Sequence, residues 1–290
     1  MTWEIIHRTL YEYAAPVAVS HHVARLEPRA TGAQSIDAFT LGITPTPSIR
    51  KSRQDYFGNH LCFFSLQEAH REFEVVTRSR VAMHPPAPPR LESSPAWEMV
   101  ARMFQDPVSP DVVEPYQFVF DSPHVRASMP FAEFALKSFP KGAPLLVGVQ
   151  DLMRRIFTEF KYDAEATTVA TPIERVMETR RGVCQDFTHL AIACMCSLGL
   201  PARYVSGYLR THAPAGKEKL VGADASHAWF SVYCPELGWV DFDPTNNVLP
   251  GEEHITLAYG RDFGDVSPLS GILTGGGDHE VKVSVDVKEG

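Results

Sequence analysis

The sequence lacks the features that mark membrane proteins and nucleic-acid-binding proteins. No stretch approaches the roughly 18 apolar residues of a membrane-spanning helix, and no run of Lys or Arg is long enough to form a nucleic-acid-binding face. The first residues do not combine a basic start with an apolar run of about seven or more, so no signal peptide is predicted. We therefore expect neither a nucleic-acid partner nor a membrane partner.

Cysteine is scarce and is not arranged for disulfides. The chain has five cysteines in 290 residues, an odd number, and they are scattered. This usage predicts a reduced, cytoplasmic compartment. Since the sequence has neither a Cys-x-x-Cys pair nor a His-Glu-x-x-His helix, we expect no metal and no other cofactor. Glycine-rich phosphate loops and the Gly-x-Ser-x-Gly turn of serine hydrolases are missing too.

The composition is that of a soluble globular protein, with 44% hydrophobic and 21% charged residues. Residues 1–83 contain short runs, rich in β-branched and aromatic residues, that recur about every ten residues. This spacing predicts an N-terminal β domain that is a small all-β sandwich or barrel. Residues 84–144 are predicted to form a linker, rich in proline over residues 84–89, followed by short helices.

The second half of the chain changes from helical to strand-forming patterns. Over residues 145–250 helices come first and antiparallel strands follow, which indicates an α+β core. A helix that begins near Cys184 ends at a Gly-Leu-Pro sequence, residues 199–201. Residues 211–222 are predicted to form a surface loop. Residues 251–290 are predicted to be a C-terminal segment that packs on the core or on the N-terminal domain.

Cys184 stands out because it follows a glycine closely at the predicted first turn of an apolar helix. A helix N-terminus carries partial positive charge and unpaired N–H groups, which favour a thiolate and can bind an oxyanion beside the sulfur. A thiol nucleophile also needs a base and a group that orients the base. His227 begins one predicted strand and Asp243 ends the next, so a hairpin should bring them together.

Each of these residues has an ordinary structural explanation when it is taken alone. A cysteine among apolar residues is usually a core residue, a histidine beside a strand is usually structural, and an aspartate before proline is usually a turn residue. The joint arrangement is more specific, because all three side chains meet at one helix N-terminus if the sheet packs on the Cys184 helix. We therefore interpret Cys184 as a nucleophile, His227 as its base and Asp243 as the orienting carboxylate.

Four segments of the sequence carry a resemblance to a known family. They occur in this order: Arg180-Arg181-Gly182-Val183-Cys184-Gln185-Asp186-Phe187-Thr188-His189-Leu190, Gly199-Leu200-Pro201-Ala202-Arg203-Tyr204-Val205-Ser206-Gly207-Tyr208, Ser226-His227-Ala228-Trp229 and Gly238-Trp239-Val240-Asp241-Phe242-Asp243-Pro244-Thr245-Asn246. Together they resemble the bacterial transglutaminase-like family, a branch of the papain-like cysteine enzymes. Residues 7–13 and 55–59 also resemble the β-rich N-terminal region of these proteins.

The resemblance implies a fold and a site. The fold is a papain-like, transglutaminase-like core in which a helix packs on an antiparallel sheet, and the site uses Cys184, His227 and Asp243. Four further residues are candidates for supporting roles: Gln185, Asp186, Trp229 and Asp241. Asp241 is the fallback orienting group, because it lies on the same strand face as Asp243. In papain-type enzymes a glutamine lies upstream of the cysteine, whereas Gln185 follows the cysteine here. A second oxyanion donor is therefore not assigned.

The reaction implied is acyl transfer. Cys184 would attack an amide or isopeptide carbonyl of a peptide or protein substrate, and the thioester would pass to water or to an amine. Hydrolysis, by a protease or deamidase, is favoured over crosslinking because nothing in the sequence suggests a regulated acceptor-amine site. Two alternatives stay open: a catalytically idle module that binds a peptide or protein, and a metal site built from Cys184, His189 and His227. The oligomeric state is not predicted.

Overall fold

The computed structural model describes residues 1–105, 112–211 and 225–290. Nearly all of the surface loop predicted for residues 211–222 lies outside the described residues. The predicted α+β fold class is confirmed, because a curled antiparallel sheet is joined to a smaller core of helices and sheet. In the described ranges, no helix is both long enough and apolar enough to cross a membrane.

The strands and helices follow one another along the chain. The strands are β1 (Thr2–Ala24), β2 (Gln34–Thr44), β3 (Ile49–Gln54), β4 (His60–Leu66), β5 (His70–Met83), β6 (Lys161–Tyr162), β7 (Arg181–Gly182), β8 (Ala202–Leu209), β9 (Ala225–Cys234), β10 (Gly238–Phe242), β11 (His254–Gly260), β12 (Leu269–Gly275) and β13 (His279–Glu289). The α-helices are α1 (Trp97–Met103), α2 (Val113–Tyr116), α3 (Met129–Leu136), α4 (Leu145–Glu159), α5 (Ile173–Thr179), α6 (Cys184–Ser197) and α7 (Phe263–Val266).

The N-terminal sheet is organised around β1, which is 23 residues long. The first half of β1 pairs with β5 and β13, and its second half pairs with β4 and β12. With β2 beside β5 and β3 beside β4, seven antiparallel strands form one sheet. The N-terminal region predicted as a small all-β sandwich or barrel is therefore all-β, and its strands form one curled sheet. The physical reason is that β1 continues past Pro16 through a register shift between Glu12 and Val17, so a single sheet curls.

The first part of β1 faces the core with every second residue. Trp3, Ile5, His7 and Thr9 are buried, as expected for a half-buried strand. Trp3 and Ile5 belong to the same hydrophobic cluster as the buried residues of α6. This end of the N-terminal sheet and the core of helices therefore share one apolar interior, whereas the other end of the sheet has a cluster of its own.

The helix α6 lies at the centre of the core. It is buried continuously from Asp186 to Cys196, and it packs on β9, β8 and α3. A Gly with positive φ, Gly199 at 71°, follows its end as the sequence predicted. Continuous burial from Asp186 onwards gives the partly exposed first residues of α6 a rigid support.

The strands β9 and β10 form the hairpin that the sequence predicted. Phe230 pairs with Phe242, and Gly238 follows the turn with a φ of 74°. Because the strands are antiparallel, the beginning of β9, which carries His227, approaches the end of β10, which Asp243 follows. The core sheet continues on the other side in the order β10-β9-β8-β11.

The edge strand β11 is fastened by side-chain amides from the N-terminal region. Gln34 accepts the Thr256 N–H and donates to the Thr256 carbonyl, both at 2.8 Å. Asn59 does the same for Tyr259, at 2.8 and 2.7 Å. These two amides satisfy backbone groups that an edge strand would otherwise leave unpaired.

The C-terminal segment, residues 251–290, contributes to both parts of the molecule. Its first strand, β11, pairs with β8 and extends the core sheet beyond residue 250. Its last two strands, β12 and β13, pair with β1 in the N-terminal sheet. The chain thus returns to the N-terminal sheet after it completes the core.

Gly207 of β8 lies at a crowded position in the core sheet. A Cβ built there would fall far inside contact distance of the Ile255 carbonyl and of the Trp229 ring. We expect Gly207→Ala to lower the free energy of unfolding by about 3 kcal/mol or to prevent folding, because neither neighbour can yield at small cost. Urea unfolding measures this. Gly251→Ala is the control, since a Cβ there meets nothing within 4 Å; equal losses would contradict the steric explanation.

Candidate active site

Cys184 is the first residue of α6, and it is partly exposed. Val183 precedes the helix with an extended backbone, φ −113° and ψ −179°. The N–H groups of a first helical turn have no acceptor within the helix, and the helix dipole is positive at this end. The sulfur of Cys184 therefore lies where the sequence predicted, beside free donors and partial positive charge.

Asp186 holds the start of this helix in place. Its carboxylate accepts the Val183 N–H at 2.7 Å and the Thr167 hydroxyl at 2.6 Å, and it is 4% exposed. Gly182 leaves room for it, because a Cβ on Gly182 would lie 2.6 Å from Oδ2 of Asp186. The residues around Cys184 thus form a helix cap that fixes the position of the thiol.

We expect Asp186→Ala to lower the free energy of unfolding by about 1–2 kcal/mol, because the Val183 N–H and the Thr167 hydroxyl both lose their acceptor. Thermal or urea unfolding measures the loss. Asp186→Asn is the matched variant, because its carbonyl oxygen can take the place of Oδ2, which accepts both bonds. It should recover part of the stability; equal losses in both variants would show that charge, and not hydrogen bonding, matters here.

His227 and Asp243 meet in the way that the hairpin predicted. Nε2 of His227 lies 2.8 Å from Oδ2 of Asp243, and the two residues are 7% and 0% exposed. Because Nε2 faces the carboxylate, Nδ1 is the nitrogen left for the thiol of Cys184. That thiol is close enough to raise the pKa of His227. The structure therefore pairs His227 with Asp243 and has Cys184 near enough to affect the same imidazole.

The carboxylate of Asp243 accepts hydrogen bonds from other donors besides His227. Oδ1 accepts the backbone N–H groups of Thr245 and Asn246, at 2.9 and 3.2 Å. Oδ2 also accepts the side-chain amide of Asn246 at 2.7 Å and lies 3.1 Å from Nε2 of His254. A buried carboxylate with this many donors has one fixed orientation.

The charges of the pair follow from its surroundings. Burial alone would lower the pKa of His227, but hydrogen bonds to Asp243 and Cys184 and the negative charges of both raise it from 6.5 to about 9. Burial would raise the pKa of Asp243, but hydrogen bonds from His227 and His254 hold it well below its usual range. The pair is therefore imidazolium and carboxylate at neutral pH. Because folding raises the pKa of His227, the protonated ring stabilises the folded protein. This stabilisation is fully present below pH 6.5 and is lost as the pH rises through about 9.

The fallback orienting group, Asp241, is engaged elsewhere. Its carboxylate accepts the indole N–H of Trp229 at 3.2 Å and the hydroxyl of Ser231. Asp241 stays in the strand ladder opposite Ser231, whereas Asp243 leaves the ladder and reaches His227. This corrects the fallback assignment. Trp229 is fully buried, and Gln185 is partly exposed next to the thiol.

The alternative metal site fails at His189. This residue is buried in α6, and its Nε2 accepts the backbone N–H of Phe263 at 3.1 Å. Among the residues that the structure describes, the ligand atoms that gather within 4.8 Å belong to His227, Asp243 and His254. Both imidazoles there lie at hydrogen-bond distance from the same carboxylate oxygen, so the arrangement suits a hydrogen-bond network.

Three residues of the site were not predicted. His254 begins β11, and no local pattern marks it, because only the pairing of β11 with β8 brings it here. Asn246 stands directly after Asp-Pro-Thr, where a side chain that bonds its own turn is common. Tyr162 pairs with Gly182 in the parallel ladder of β6 and β7 and is 55% exposed. Burial, together with the charge of Cys184, raises the pKa of the Tyr162 phenol.

Two family models match the chain in the regions that form this geometry. Residues 3–82 match the bacterial transglutaminase-like N-terminal region. Residues 139–244 match the transglutaminase-like superfamily. The second match contains Cys184, His227 and Asp243.

Known proteins resemble the chain over different lengths. An uncharacterized protein of Mycobacterium tuberculosis is 38% identical over 98% of this chain and 92% of its own length. A protein-glutamine gamma-glutamyltransferase of Pseudomonas aeruginosa is 31% identical over 35% of this chain and 16% of its own length. A structure from Cytophaga hutchinsonii, described as a candidate cysteine protease, shares the fold with a TM-score of 0.76 at 22% identity, covering 99% of this chain and 90% of that chain. This chain belongs to the transglutaminase-like superfamily and carries the bacterial transglutaminase-like N-terminal region.

Proposed function

We propose that the protein catalyses cysteine-dependent acyl transfer on peptide or isopeptide amides through a thioester. Cys184 is the nucleophile, His227 the acid and base, and Asp243 the group that orients the imidazole. One observation carries the proposal: buried Asp243 binds Nε2 of His227 and leaves the opposite nitrogen for a partly exposed thiol at a helix N-terminus. A histidine and aspartate with a purely structural role would not need that thiol beside them.

The raised pKa of His227 decides which proton moves. The sulfur of Cys184 bonds to the carbonyl carbon, and the carbonyl π electrons move to the oxygen. When the tetrahedral oxyanion collapses, the C–N bond breaks, and ammonia or an amine leaves with the proton of the imidazolium. A thioester remains, and the neutral His227 can accept a proton from the water that attacks it. The C–S bond then breaks, the acid product leaves, and His227 holds a proton again.

The oxyanion needs donors beside the sulfur. The backbone N–H of Cys184 belongs to the first helical turn and is one donor of this kind. Tyr162 is our candidate for the second donor, which the sequence left unassigned. Its pairing with Gly182 holds it close to the start of α6, and its phenol O–H can donate a hydrogen bond.

In this proposal hydrolysis is favoured over crosslinking, and the protein acts in the cytoplasm. No sequence feature indicates a regulated site for an acceptor amine, so water is the simpler second substrate. All five cysteines are free, which suits a reducing compartment. The Pseudomonas aeruginosa protein is named a glutamyltransferase, so transfer of the acyl group to an amine is the alternative that has to be tested.

Intact-mass spectrometry tests the proposal. The protein is incubated with peptides that carry glutamine side chains or lysine isopeptide bonds. We expect an acyl adduct that neutral hydroxylamine removes, that peptide mapping places on Cys184, and that is accompanied by at least an equal amount of ammonia or amine. Failure of the folded protein to form an adduct with any of these peptides would favour the idle binding module.

Competition between water and an added primary amine separates the two acceptors. With a hydrolase, the acid product should remain dominant when millimolar amine is present. An amide product that dominates at low amine concentration would overturn the assignment to hydrolysis and would leave the thioester chemistry in place.

A further inference from the structure

Two imidazoles share one oxygen of the buried carboxylate. Nε2 of His227 and Nε2 of His254 lie 2.8 and 3.1 Å from Oδ2 of Asp243. His254 is 8% exposed, and its ring meets the Trp229 ring edge to face, with centroids 5.3 Å apart and an interplanar angle of 88°. No step of the proposed reaction uses His254, so its fixed position at this oxygen needs an explanation of its own.

The position of His254 depends on the N-terminal region. His254 is the first residue of β11, whose outer backbone groups are bonded by Gln34 and Asn59. Just before β11, the Glu252 carbonyl accepts the indole N–H of Trp3 at 2.6 Å. Contacts from the N-terminal region therefore fasten the strand along its length and at its start.

We infer that His254 is a positioning residue for the proposed reaction, and that the N-terminal region takes part in the active site by holding β11. The inference rests on the proposed function. An imidazole with a proton on Nε2 donates to Oδ2 of Asp243 and fixes the plane of the carboxylate. That plane sets the direction of the bond to His227, and with it the direction in which Nδ1 points at Cys184.

Alkylation of Cys184 by iodoacetamide tests the inference without a substrate. His254→Phe keeps an aromatic ring against Trp229 but has no donor for Asp243. We expect it to slow alkylation near neutral pH by about tenfold, the effect of removing one hydrogen bond to a charged group. His254→Gln is the conservative variant, because its amide can donate to the same oxygen, and we expect a rate within about threefold of wild type.

A spectroscopic readout separates positioning from a merely structural role. The His227 ring proton that faces Asp243 should give a downfield NMR signal, which should move or broaden in His254→Phe and persist in His254→Gln. If His254→Phe does not fold, His254→Asn takes its place, because its amide is too short to reach Asp243. Equal alkylation rates in the Gln and Phe variants, or an unchanged signal in the Phe variant, would overturn the inference.

The link to the N-terminal region has its own variant. Gln34→Ala removes both bonds to Thr256, and we expect it to slow alkylation in the same direction as His254→Phe. The double variant should be no slower than His254→Phe alone, since both changes act on one contact. If the two substitutions slowed alkylation additively, Gln34 would not act through His254, and the proposed role of the N-terminal region would be wrong. A wild-type Cys184 that reacts no faster than an ordinary thiol would instead contradict the proposed function, so the two failures can be told apart.

Discussion

Cys184→Ala is expected to abolish labelling of the folded protein by iodoacetamide near neutral pH, with a rate at least about a hundredfold below wild type. The reason is the contrast among the five thiols. Cys184 is partly exposed at a helix start, whereas the other four are buried. Burial raises the pKa of Cys196 to about 12 and that of Cys234 to about 11, so both stay protonated near neutral pH. Mass spectrometry after a brief exposure measures the labelling.

Cys234→Ala is the matched control, because it removes a buried thiol by the same substitution. It should label at one site and at the wild-type rate. In denaturant, both variants should label at all four remaining cysteines, which shows that the reagent is not limiting. Labelling of folded Cys184→Ala at the wild-type rate would mean that another thiol is the reactive one, and the proposed nucleophile would be wrong.

The parts of the site that could be predicted are the local ones. A short turn joins the strands of His227 and Asp243, so alternation and one glycine turn were enough to bring the two side chains together. The start of α6 is also local, because Gly182 precedes Cys184 and an apolar stripe follows it. Such signals depend on neighbouring residues and survive any arrangement of the rest of the chain.

His254 could not be predicted because its route to the site is not local. Although β11 follows β10 in the chain, it lies at the opposite edge of the core sheet, beside β8. Strand order within a sheet depends on tertiary packing, and here it also depends on Gln34 and Asn59 from the N-terminal region. A period-two pattern over residues 254–260 indicates a strand and nothing about its neighbours.

The choice between Asp241 and Asp243 shows the limit of periodicity in another way. Residues two apart on a strand share a face, so the pattern alone left both as partners for His227. The structure separates them through their other partners, because Trp229 and Ser231 engage Asp241. The family resemblance had favoured the aspartate before Pro-Thr, and the geometry agrees with it.

Asp243→Ala is expected to lower the pKa of His227 from about 9 and to lower kcat/KM by about 10⁴-fold. Burial lowers the pKa of this histidine, and Asp243 is the first group that opposes it by hydrogen bond and by charge. Without the carboxylate, Cys184 alone opposes the effect of burial, so a smaller fraction of the imidazole is protonated at pH 7. It then protonates the leaving amine less readily, and its ring has lost its anchor. NMR titration of the ¹⁵N-labelled ring measures the pKa.

Asp241→Ala is the matched control, because it removes another carboxylate two residues away. It should cost stability, since Trp229 and Ser231 lose their acceptor, but it should leave the pKa of His227 close to 9. Asp243→Asn then separates charge from shape: an amide of the same size fills the site but does not carry the charge that keeps the ring protonated. We expect the pKa of His227 to be lowered in Asp243→Asn as it is in Asp243→Ala. A pKa that falls equally in the Asp241 variant would return Asp241 to the role of orienting group.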